Sequence, residues 1–274
     1  MVWSEGGCSR LRDACLRGVA GAGPEVISTH PIKRIEVRDD LAEDRWPATI
    51  PAVAQLMRDG MDLPPGVTFI VGENGSGKST LIEGIADAVG LPLEGGDRQS
   101  DIRTIEESSA LGPHLVVHRG SHASQGFFLR AESMQGWITK MAELGSTRAW
   151  LHNVSHGESY LAMALQFMRK PGIYLLDEPE SALSFASVLA LMGHFDEVTR
   201  ETGAQVVCAT HSPVLCALPG ATILELSDRG FAETDWADLD LVRAHRLFFE
   251  DPMRQLRHVV RSGHPSDAHP SEMD

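Results

Sequence analysis

The amino-acid sequence predicts an α/β fold in which a mainly parallel sheet carries helices on both faces. Short apolar runs that are typical of buried strands alternate along the chain with segments of helical periodicity. Parallel neighbours in a sheet need a long crossover between them, and a helix is the usual crossover. Because 42% of the 274 residues are hydrophobic, the chain can fill a sizeable core, as one large domain or two small ones.

Six segments are predicted as strands. Residues 31–38 alternate apolar and polar side chains, as a half-buried strand does, whereas the others are short apolar runs typical of buried strands. These other segments are residues 67–71, 115–117, 173–176, 205–209 and 222–226.

Three segments have the spacing of helices that bury one face, and the one at residues 160–168 places on that face Tyr160, Leu161, Ala164, Leu165 and Met168. Residues 79–89 end at Gly90 and a later helix ends at Gly203, since glycine is common just after the last turn of a helix. The apolar face of the later helix is predicted from Phe185, Val188, Leu189, Met192 and Phe195.

The ends of the chain differ from its middle. Residues 1–29 are rich in Gly, Arg and Cys without periodicity, and residues 262–274 are polar with two prolines. Both segments are therefore predicted to be disordered. The sequence predicts one domain at residues 30–261, with a small helical subdomain at roughly residues 125–168.

The composition disfavours several classes of protein. Lys and Arg number 24 against 38 Asp and Glu, and the net charge of −14 leaves only a local basic patch as a route to nucleic acid. No run approaches the roughly 18 apolar residues of a membrane span, and the N-terminus has no apolar signal core. The four cysteines form no Cys-x-x-Cys pair. We therefore expect reduced thiols in a cytoplasmic protein that does not insert into a membrane by itself.

The strongest chemical signal is GENGSGKST at residues 72–80, which fits the Gly-x-x-x-x-Gly-Lys-Ser/Thr pattern of a phosphate-binding loop, or P-loop. Its glycines let backbone N–H groups wrap the phosphates, and the following helix adds its positive dipole end. Lys78 is placed to reach the β and γ phosphates, and Ser79 to ligate Mg²⁺. The lysine, the hydroxyl and the flanking strand and helix disfavour the alternative, a glycine-rich turn that merely caps a helix.

Two further polar clusters end predicted strands. IYLLDEPE at residues 173–180 brings Asp177 to the carboxyl edge of the sheet, where it can hold Mg²⁺, and places Glu178 to polarise the attacking water. CATHSP at residues 208–213 places His211 where it can contact the γ phosphate or orient the water. Alone, the acids could be a solvated strand end and the histidine a surface residue. The P-loop upstream favours the functional interpretation.

Four motifs, GENGSGKST, SHGES, LLDEPE and THSP, resemble the ABC-type ATPase core in this order. More narrowly, the chain resembles a family of small, soluble, predicted bacterial ATPases. The shared segments are GFFLRAES (126–133), DEPESALS (177–184) and F-x-x-x-P-x-x-x-L (248–256), and the match spans roughly residues 31–257. The resemblance implies a P-loop NTPase fold with three layers, ATP and Mg²⁺ as cofactors, and an ATP-dependent homodimer that serves an unidentified partner protein or substrate.

The SHGES segment resembles the ABC signature Leu-Ser-Gly-Gly-Gln, with His156 in place of the first glycine. In ABC-type proteins the signature serine and the following N–H groups bind the γ phosphate held by the P-loop of the other subunit. Ser155 and Gly157 retain the hydroxyl and the flexible backbone, and His156 can add a donor. The alternative, an ordinary N-cap by Ser155 with Glu158 closing a capping box, does not exclude this role, because one serine can do both at different times.

Three positions carry weaker signals. Trp46 lies about where such ATPases place an aromatic that stacks on adenine, although a core or surface tryptophan explains it as well. Gln125 is a candidate for the glutamine that senses magnesium, but the resemblance does not fix a glutamine there. Ser184 stands where ABC-type proteins usually have Asp, which leaves communication between the two ATP sites open.

The sequence thus predicts three sets of site residues. Glu178 and His211 are assigned to catalysis, and Ser79 and Asp177 to Mg²⁺. The nucleotide is assigned to Trp46, Gly72, Glu73, Asn74, Gly75, Ser76, Gly77, Lys78, Ser79, Thr80, Ser155, His156, Gly157 and Glu158.

Three function classes compete at this point. The first is a stand-alone soluble ATPase that dimerises around two ATP molecules. The second is the nucleotide-binding subunit of a membrane transporter, which the lack of a clear coupling glutamine disfavours. The third is a DNA-repair ATPase, which the net charge of −14 and the absence of a long heptad insertion disfavour. ATP is favoured over GTP because the sequence has no guanine-reading Asn-Lys-x-Asp or Thr-Lys-x-Asp.

Overall fold

The computed structural model describes residues 30–97, 108–120, 125–133, 136, 156–257 and 259–260, and of residues 156–158 the backbone alone. The predicted disordered segments, residues 1–29 and 262–274, lie outside these ranges. The strands are β1 (Ile32–Val37), β2 (Met61–Asp62), β3 (Gly66–Val71), β4 (Gly96–Asp97), β5 (Leu115–Arg119), β6 (Gln125–Arg130), β7 (Gly172–Asp177), β8 (Gln205–Thr210), β9 (Thr222–Ser227) and β10 (Gly230–Glu233). The helices are α1 (Pro51–Asp59), α2 (Lys78–Ala88), α3 (His156–Phe167), α4 (Phe185–Thr202), α5 (Asp240–Glu250) and α6 (Pro252–Leu256). None of the helices within the described part of the chain has both the length and the apolarity that a membrane span requires.

The main sheet has seven strands in the order β10-β9-β3-β8-β7-β6-β4. The five strands from β9 to β6 are parallel, and β10 and β4 pair antiparallel at the two edges. Because parallel strands end at the same edge, β3, β7 and β8 bring the P-loop, the DEPE segment and the THSP segment together.

The two faces of the main sheet bury different helices. Alternate side chains of a strand point to opposite faces. Phe69 and Leu176 therefore pack in a core with α3 and α4, whereas Ile70 and Leu175 pack with α1 and α2. This three-layer arrangement confirms the predicted α/β fold.

A small antiparallel sheet, β2-β1-β5, is tied to the main sheet by Gln205. The buried Gln205 amide accepts a bond from the Ile32 N–H at 2.9 Å, and donates to the Ile32 carbonyl at 2.9 Å and the Leu63 carbonyl at 3.1 Å. Because its oxygen and nitrogen are both bonded, burial of this amide leaves neither without a partner. Gln205 is the first residue of β8, so the tie lies at the end of the strands opposite the P-loop.

The structure corrects the predicted boundary of the helical subdomain. Residues 125–130 form β6, which lies parallel to β7 in the main sheet, so a helical subdomain cannot begin at residue 125. A short apolar run fits a buried strand and a helix equally well by periodicity. Of the predicted subdomain that follows, residues 134–135 and 137–155 lie outside the described residues.

Two other expectations change in detail. The strand predicted at residues 115–117 is present as β5, but it belongs to the small antiparallel sheet. On α4, Phe185 is 67% exposed and Leu189 is 47% exposed, although both were predicted on the apolar face. The buried face of α4 is formed by Val188, Leu191, Phe195 and Val198.

Candidate active site

The P-loop joins the end of β3 to the start of α2. Lys78 is only 4% exposed, and its Nζ donates to the Gly72 and Glu73 carbonyls, both at 3.0 Å. Gly77 has φ +99°, and a Cβ at that position would lie 2.5 Å from the Ile50 side chain. The loop therefore requires glycine at position 77, and it holds the lysine ammonium group against its own backbone.

The P-loop residues fit a phosphate chain. Burial lowers the pKa of Lys78, while the carboxylates of the nearby DEPE segment oppose that effect. The Ser76 hydroxyl is buried and has no hydrogen-bond partner among the described residues. The N-terminus of α2 adds unpaired N–H groups to this cradle. The predicted nucleotide residues Gly72, Glu73, Asn74, Gly75, Ser76, Gly77, Lys78, Ser79 and Thr80 all lie in the loop and the first turn of α2.

The predicted magnesium ligands lie together across the sheet edge. The Ser79 hydroxyl donates to Asp177 Oδ1 at 3.4 Å, and Asp177 is 4% exposed at the end of β7. Burial raises the pKa of Asp177 to about 6, the charge of Arg130 opposes this rise, and the charge of Glu178 adds to it. A hydroxyl and a carboxylate beside a phosphate site are oxygen ligands of the kind that Mg²⁺ takes, so these residues fit a magnesium ion.

Arg130 is a site residue that the sequence analysis did not single out. It ends β6 opposite Asp177, with its Nε 3.6 Å from Asp177 Oδ2 and its Nη1 2.7 Å from Glu83 Oε1. The guanidinium thus places a fixed positive charge beside the predicted magnesium carboxylate. An arginine at the end of an apolar run that precedes the DEPE strand was the available signal.

Glu178 and His211 are brought together by the neighbouring ends of β7 and β8. His211 Nε2 lies 3.1 Å from Glu178 Oε1, within ion-pair distance, but the geometry does not make a hydrogen bond. Glu178 has φ 48° and ψ 52°, a left-handed conformation that costs a non-glycine residue about 1 kcal/mol or more. Its N–H bonds the Ala209 carbonyl at 2.9 Å, and the Ser181 hydroxyl donates to its carbonyl at 2.8 Å. These bonds hold the carboxylate at the sheet edge.

Glu180 is the second site residue that the sequence analysis missed. Its Oε1 accepts from the Thr210 hydroxyl at 2.7 Å and from the His211 backbone N–H at 2.5 Å. The last residue of DEPE therefore holds the THSP segment directly. Because the two segments are 30 positions apart in the chain, only the parallel pairing of β7 with β8 reveals this contact.

The three weaker predictions have different outcomes. Trp46 is 64% exposed and lies four positions before Ile50, which touches the P-loop, so its contact with adenine stays a prediction. Gln125 begins β6 opposite Gly172, about 16 Å along the strand from the residue opposite Asp177. It lies at the wrong end of the sheet to sense magnesium. Ser184 is the N-cap of α4, where its hydroxyl accepts from the Ser187 N–H at 3.2 Å.

The signature segment is described only in part. His156, Gly157 and Glu158 form the first turn of α3, and their side chains lie outside the described residues, as does the whole of Ser155. The role assigned to these four residues stays a prediction. A helix that begins at His156 is compatible with both alternatives, a phosphate seat and a helix cap.

A cavity of about 790 Å³ lies against the P-loop, between residues 72–76, His211, the end of β9 and the start of α5. Its lining includes the acidic residues Glu73, Glu225, Asp228 and Asp240. His211, the predicted contact of the γ phosphate, also lines this cavity, so the cavity adjoins the predicted phosphate site.

Comparisons with known proteins agree with this geometry. A family model described as "AAA domain, putative AbiEii toxin, Type IV TA system" matches residues 150–217, and one described as "AAA domain" matches residues 58–121. The chain is 30% identical over 166 residues to the thiamine import ATP-binding protein ThiQ of Cereibacter sphaeroides, covering 53% of this chain and 70% of that protein. The chain belongs to the ABC/AAA-like family of P-loop ATPases.

The chain is also 29% identical over 219 residues to the Fe(3+) ions import ATP-binding protein FbpC of Pseudomonas fluorescens, covering 73% of this chain. It spans 55% of that relative's length. Among solved structures it is similar to cbiO1 from Clostridium perfringens, part of the ABC transporter complex cbiONQ. That similarity has a TM-score of 0.46 and 15% identity, and covers 84% of this chain and 100% of that one.

Proposed function

We propose that this ATPase binds Mg²⁺-ATP at the P-loop and hydrolyses the β–γ bond with Glu178 as general base and His211 as its partner. The observation that carries the proposal is the convergence of Lys78, Asp177, Glu178 and His211 at one edge of the sheet, with 3.1 Å between Glu178 Oε1 and His211 Nε2. A carboxylate and an imidazole at this separation can share the orientation of one water molecule.

Each residue has a separate task in this proposal. Lys78 and the N–H groups of the P-loop bind the phosphates, and Ser79 and Asp177 hold the magnesium ion. When bound, Mg²⁺ neutralises part of the phosphate charge. Glu178 accepts the proton of the attacking water, and His211 donates a hydrogen bond towards the γ phosphate.

Replacement of Glu178 by Gln tests the catalytic assignment. The amide cannot accept the proton, so hydrolysis is expected to slow by about two orders of magnitude or more while ATP binding is retained. Phosphate release and calorimetric ATP titration measure the two properties in the same preparation. Turnover at the wild-type rate would move the base elsewhere, with His211 as the next candidate.

We further propose that two copies enclose ATP between the P-loop of one and the signature segment of the other. Glu73, Asn74 and Gly75 at the tip of the loop are exposed, and so is Phe185 just after the DEPESALS segment. These exposed groups leave the γ-phosphate side of the loop accessible to a second chain. The sequence resemblance supplies the signature residues Ser155 to Glu158 for that chain.

Mixing two inactive variants tests this shared site. Lys78→Ala removes the phosphate charge, and Ser155→Arg blocks the γ-phosphate seat with a bulky cation, so each protein alone is expected to be inactive. A mixed dimer has one site with both defects and one with neither, so ATP-dependent dimerisation and part of the hydrolysis should return. If sedimentation finds the mixture monomeric where wild type dimerises, SHGES is only a helix cap.

We propose that ATP hydrolysis by this protein drives a change in a partner protein, either a membrane permease or a soluble protein. The relatives above are named as import ATP-binding proteins, which supports the nucleotide-binding subunit of a transporter better than the stand-alone homodimer. The family description that mentions a toxin supports the stand-alone alternative. Recovery of the Glu178→Gln protein from its own cells with ATP distinguishes them, because a co-purifying membrane permease selects the first and a soluble partner the second.

A further inference from the structure

Glu180 uses only one of its two carboxylate oxygens. Oε1 accepts from Thr210 and from the His211 N–H, whereas Oε2 is buried and has no hydrogen-bond partner among the residues that the structure describes. The final torsion of a glutamate side chain is soft. A carboxylate that is bonded through one oxygen therefore keeps more rotational freedom than one that is bonded through both.

Tyr160 offers the matching donor. The residue is 0% exposed, and its hydroxyl also lacks a hydrogen-bond partner within the described ranges. Burial raises the pKa of Tyr160 well above its usual value, and the charges of Cys208, Glu180 and Asp177 add to this rise. The hydroxyl therefore stays protonated and lies within electrostatic range of the Glu180 carboxylate. A hydrogen bond between this buried donor and this buried acceptor would remove the free-energy cost of leaving both without a partner.

The position of Tyr160 gives the pair a function. Tyr160 is the fifth residue of α3, the helix that starts directly after Ser155. α3 packs against the turn at Pro179–Ala182, which contains Glu180. A small movement of α3 would therefore move the Tyr160 hydroxyl relative to Glu180 Oε2.

We propose that Glu180 is a positioning residue through which α3 acts on His211. In the ATP-loaded state the Tyr160 hydroxyl donates to Glu180 Oε2, and the carboxylate, now held through both oxygens, fixes the His211 backbone beside Glu178. The proposal rests on the proposed function, because His211 must serve hydrolysis. It adds a way in which binding of ATP by the signature segment would move α3 and thereby fix the position of His211.

Tyr160→Phe tests the route because it removes only the hydroxyl. The unpartnered group contributes no bond in the nucleotide-free protein, so Tm without nucleotide is expected to stay the same or rise, and the Kd for ATP to stay the same. The value of kcat is expected to fall about tenfold with KM unchanged, the effect of losing one hydrogen bond to a charged acceptor. A hydroxyl with a purely structural role would instead lower Tm and leave kcat unchanged.

Tyr174→Phe is the matched control. Tyr174 is also buried, but its hydroxyl donates to the Lys170 carbonyl at 2.8 Å, at the end of β7 away from the site. Its removal is expected to lower Tm and leave kcat unchanged. Tyr160→Phe is thus expected to lower kcat but not Tm, whereas Tyr174→Phe is expected to lower Tm but not kcat.

Glu180→Ala completes a double-mutant cycle. This variant frees His211, so kcat should fall further than in Tyr160→Phe, and Tyr160→Phe should have no additional effect in its background. An equal loss of kcat in both backgrounds overturns the inference. If Glu180→Ala does not fold, Tyr160→Phe alone tests the inference: a lower kcat with an unchanged or higher Tm supports it, and an unchanged kcat overturns it.

Glu178→Gln in the same assay separates this inference from the proposed function. Wild-type turnover in Glu178→Gln means that the assignment of Glu178 as general base, on which the proposed function depends, has failed. If Glu178→Gln is inactive while Tyr160→Phe keeps the wild-type kcat, the proposed function stands and the route through Glu180 is wrong.

Discussion

Replacement of Asp177 by Asn is expected to stabilise the nucleotide-free protein while removing its response to magnesium. Burial raises the pKa of Asp177 from 3.8 to about 6 in the folded protein. A difference of this size corresponds to about 3 kcal/mol of unfolding free energy lost when the carboxyl ionises. Asn carries no charge, and its oxygen can still accept from the Ser79 hydroxyl.

The effect has a definite dependence on pH. The folded state binds the Asp177 proton more tightly than the unfolded state, so stability is lost as pH rises from the unfolded pKa of 3.8 through the folded value of about 6. About half of the loss is present at pH 5, and nearly all of it at pH 8. The pKa of about 6 already includes the attraction of Arg130, 3.6 Å away, so the net gain of the Asn variant at pH 8 is expected to be about 3 kcal/mol, or roughly 6–12 °C in Tm.

Thermal unfolding at pH 5 and pH 8, with and without Mg²⁺-ATP, is the assay. The gain in Tm should be larger at pH 8, and the additional Tm that Mg²⁺ gives over ATP alone in wild type should disappear in Asp177→Asn. Asp59→Asn, at an exposed position outside the site, is the control and should change neither. A lower Tm than wild type at pH 8, or an equal gain at both pH values, would refute the reasoning.

Two further predictions concern the cations of the site. Lys78→Ala is expected to lose ATP binding in calorimetry, because Lys78 supplies the positive charge on the β and γ phosphates; an unchanged affinity would contradict the P-loop assignment. Arg130→Gln is expected to lower the Tm of the nucleotide-free protein more at pH 8 than at pH 5, because Arg130 stabilises Asp177 only when that carboxyl is ionised. An equal loss at both values of pH would mean that the pair with Glu83 is its main contribution.

The sequence predicted the site residues that belong to short local motifs. Lys78, Ser79, Asp177, Glu178 and His211 each stand at a fixed offset from an apolar strand, and parallel pairing brings those strand ends to one edge. Their roles remain predictions, but their proximity follows from local patterns and one topological rule.

The residues that the sequence analysis missed depend on contacts between distant segments. Arg130 joins Glu83 to Asp177, and Glu180 joins the DEPE segment to His211. The position of Arg130 at the end of an apolar run was a weak local signal, but only the contacts distinguish either residue from a solvated charge near a strand end. β6 was assigned to the helical subdomain for a similar reason, because only its pairing with β7 identifies it as a strand.

The tie made by Gln205 has a consequence for how the chain acquires its structure. Ile32 and Gln205 are 173 positions apart, and β3 lies between β8 and β9, which are among the last strands to be synthesised. β3 must therefore leave the ribosome long before its neighbours exist. Because such distant pairings form slowly, we expect the apolar side chains of β3 to stay exposed during synthesis until β8 and β9 have been made.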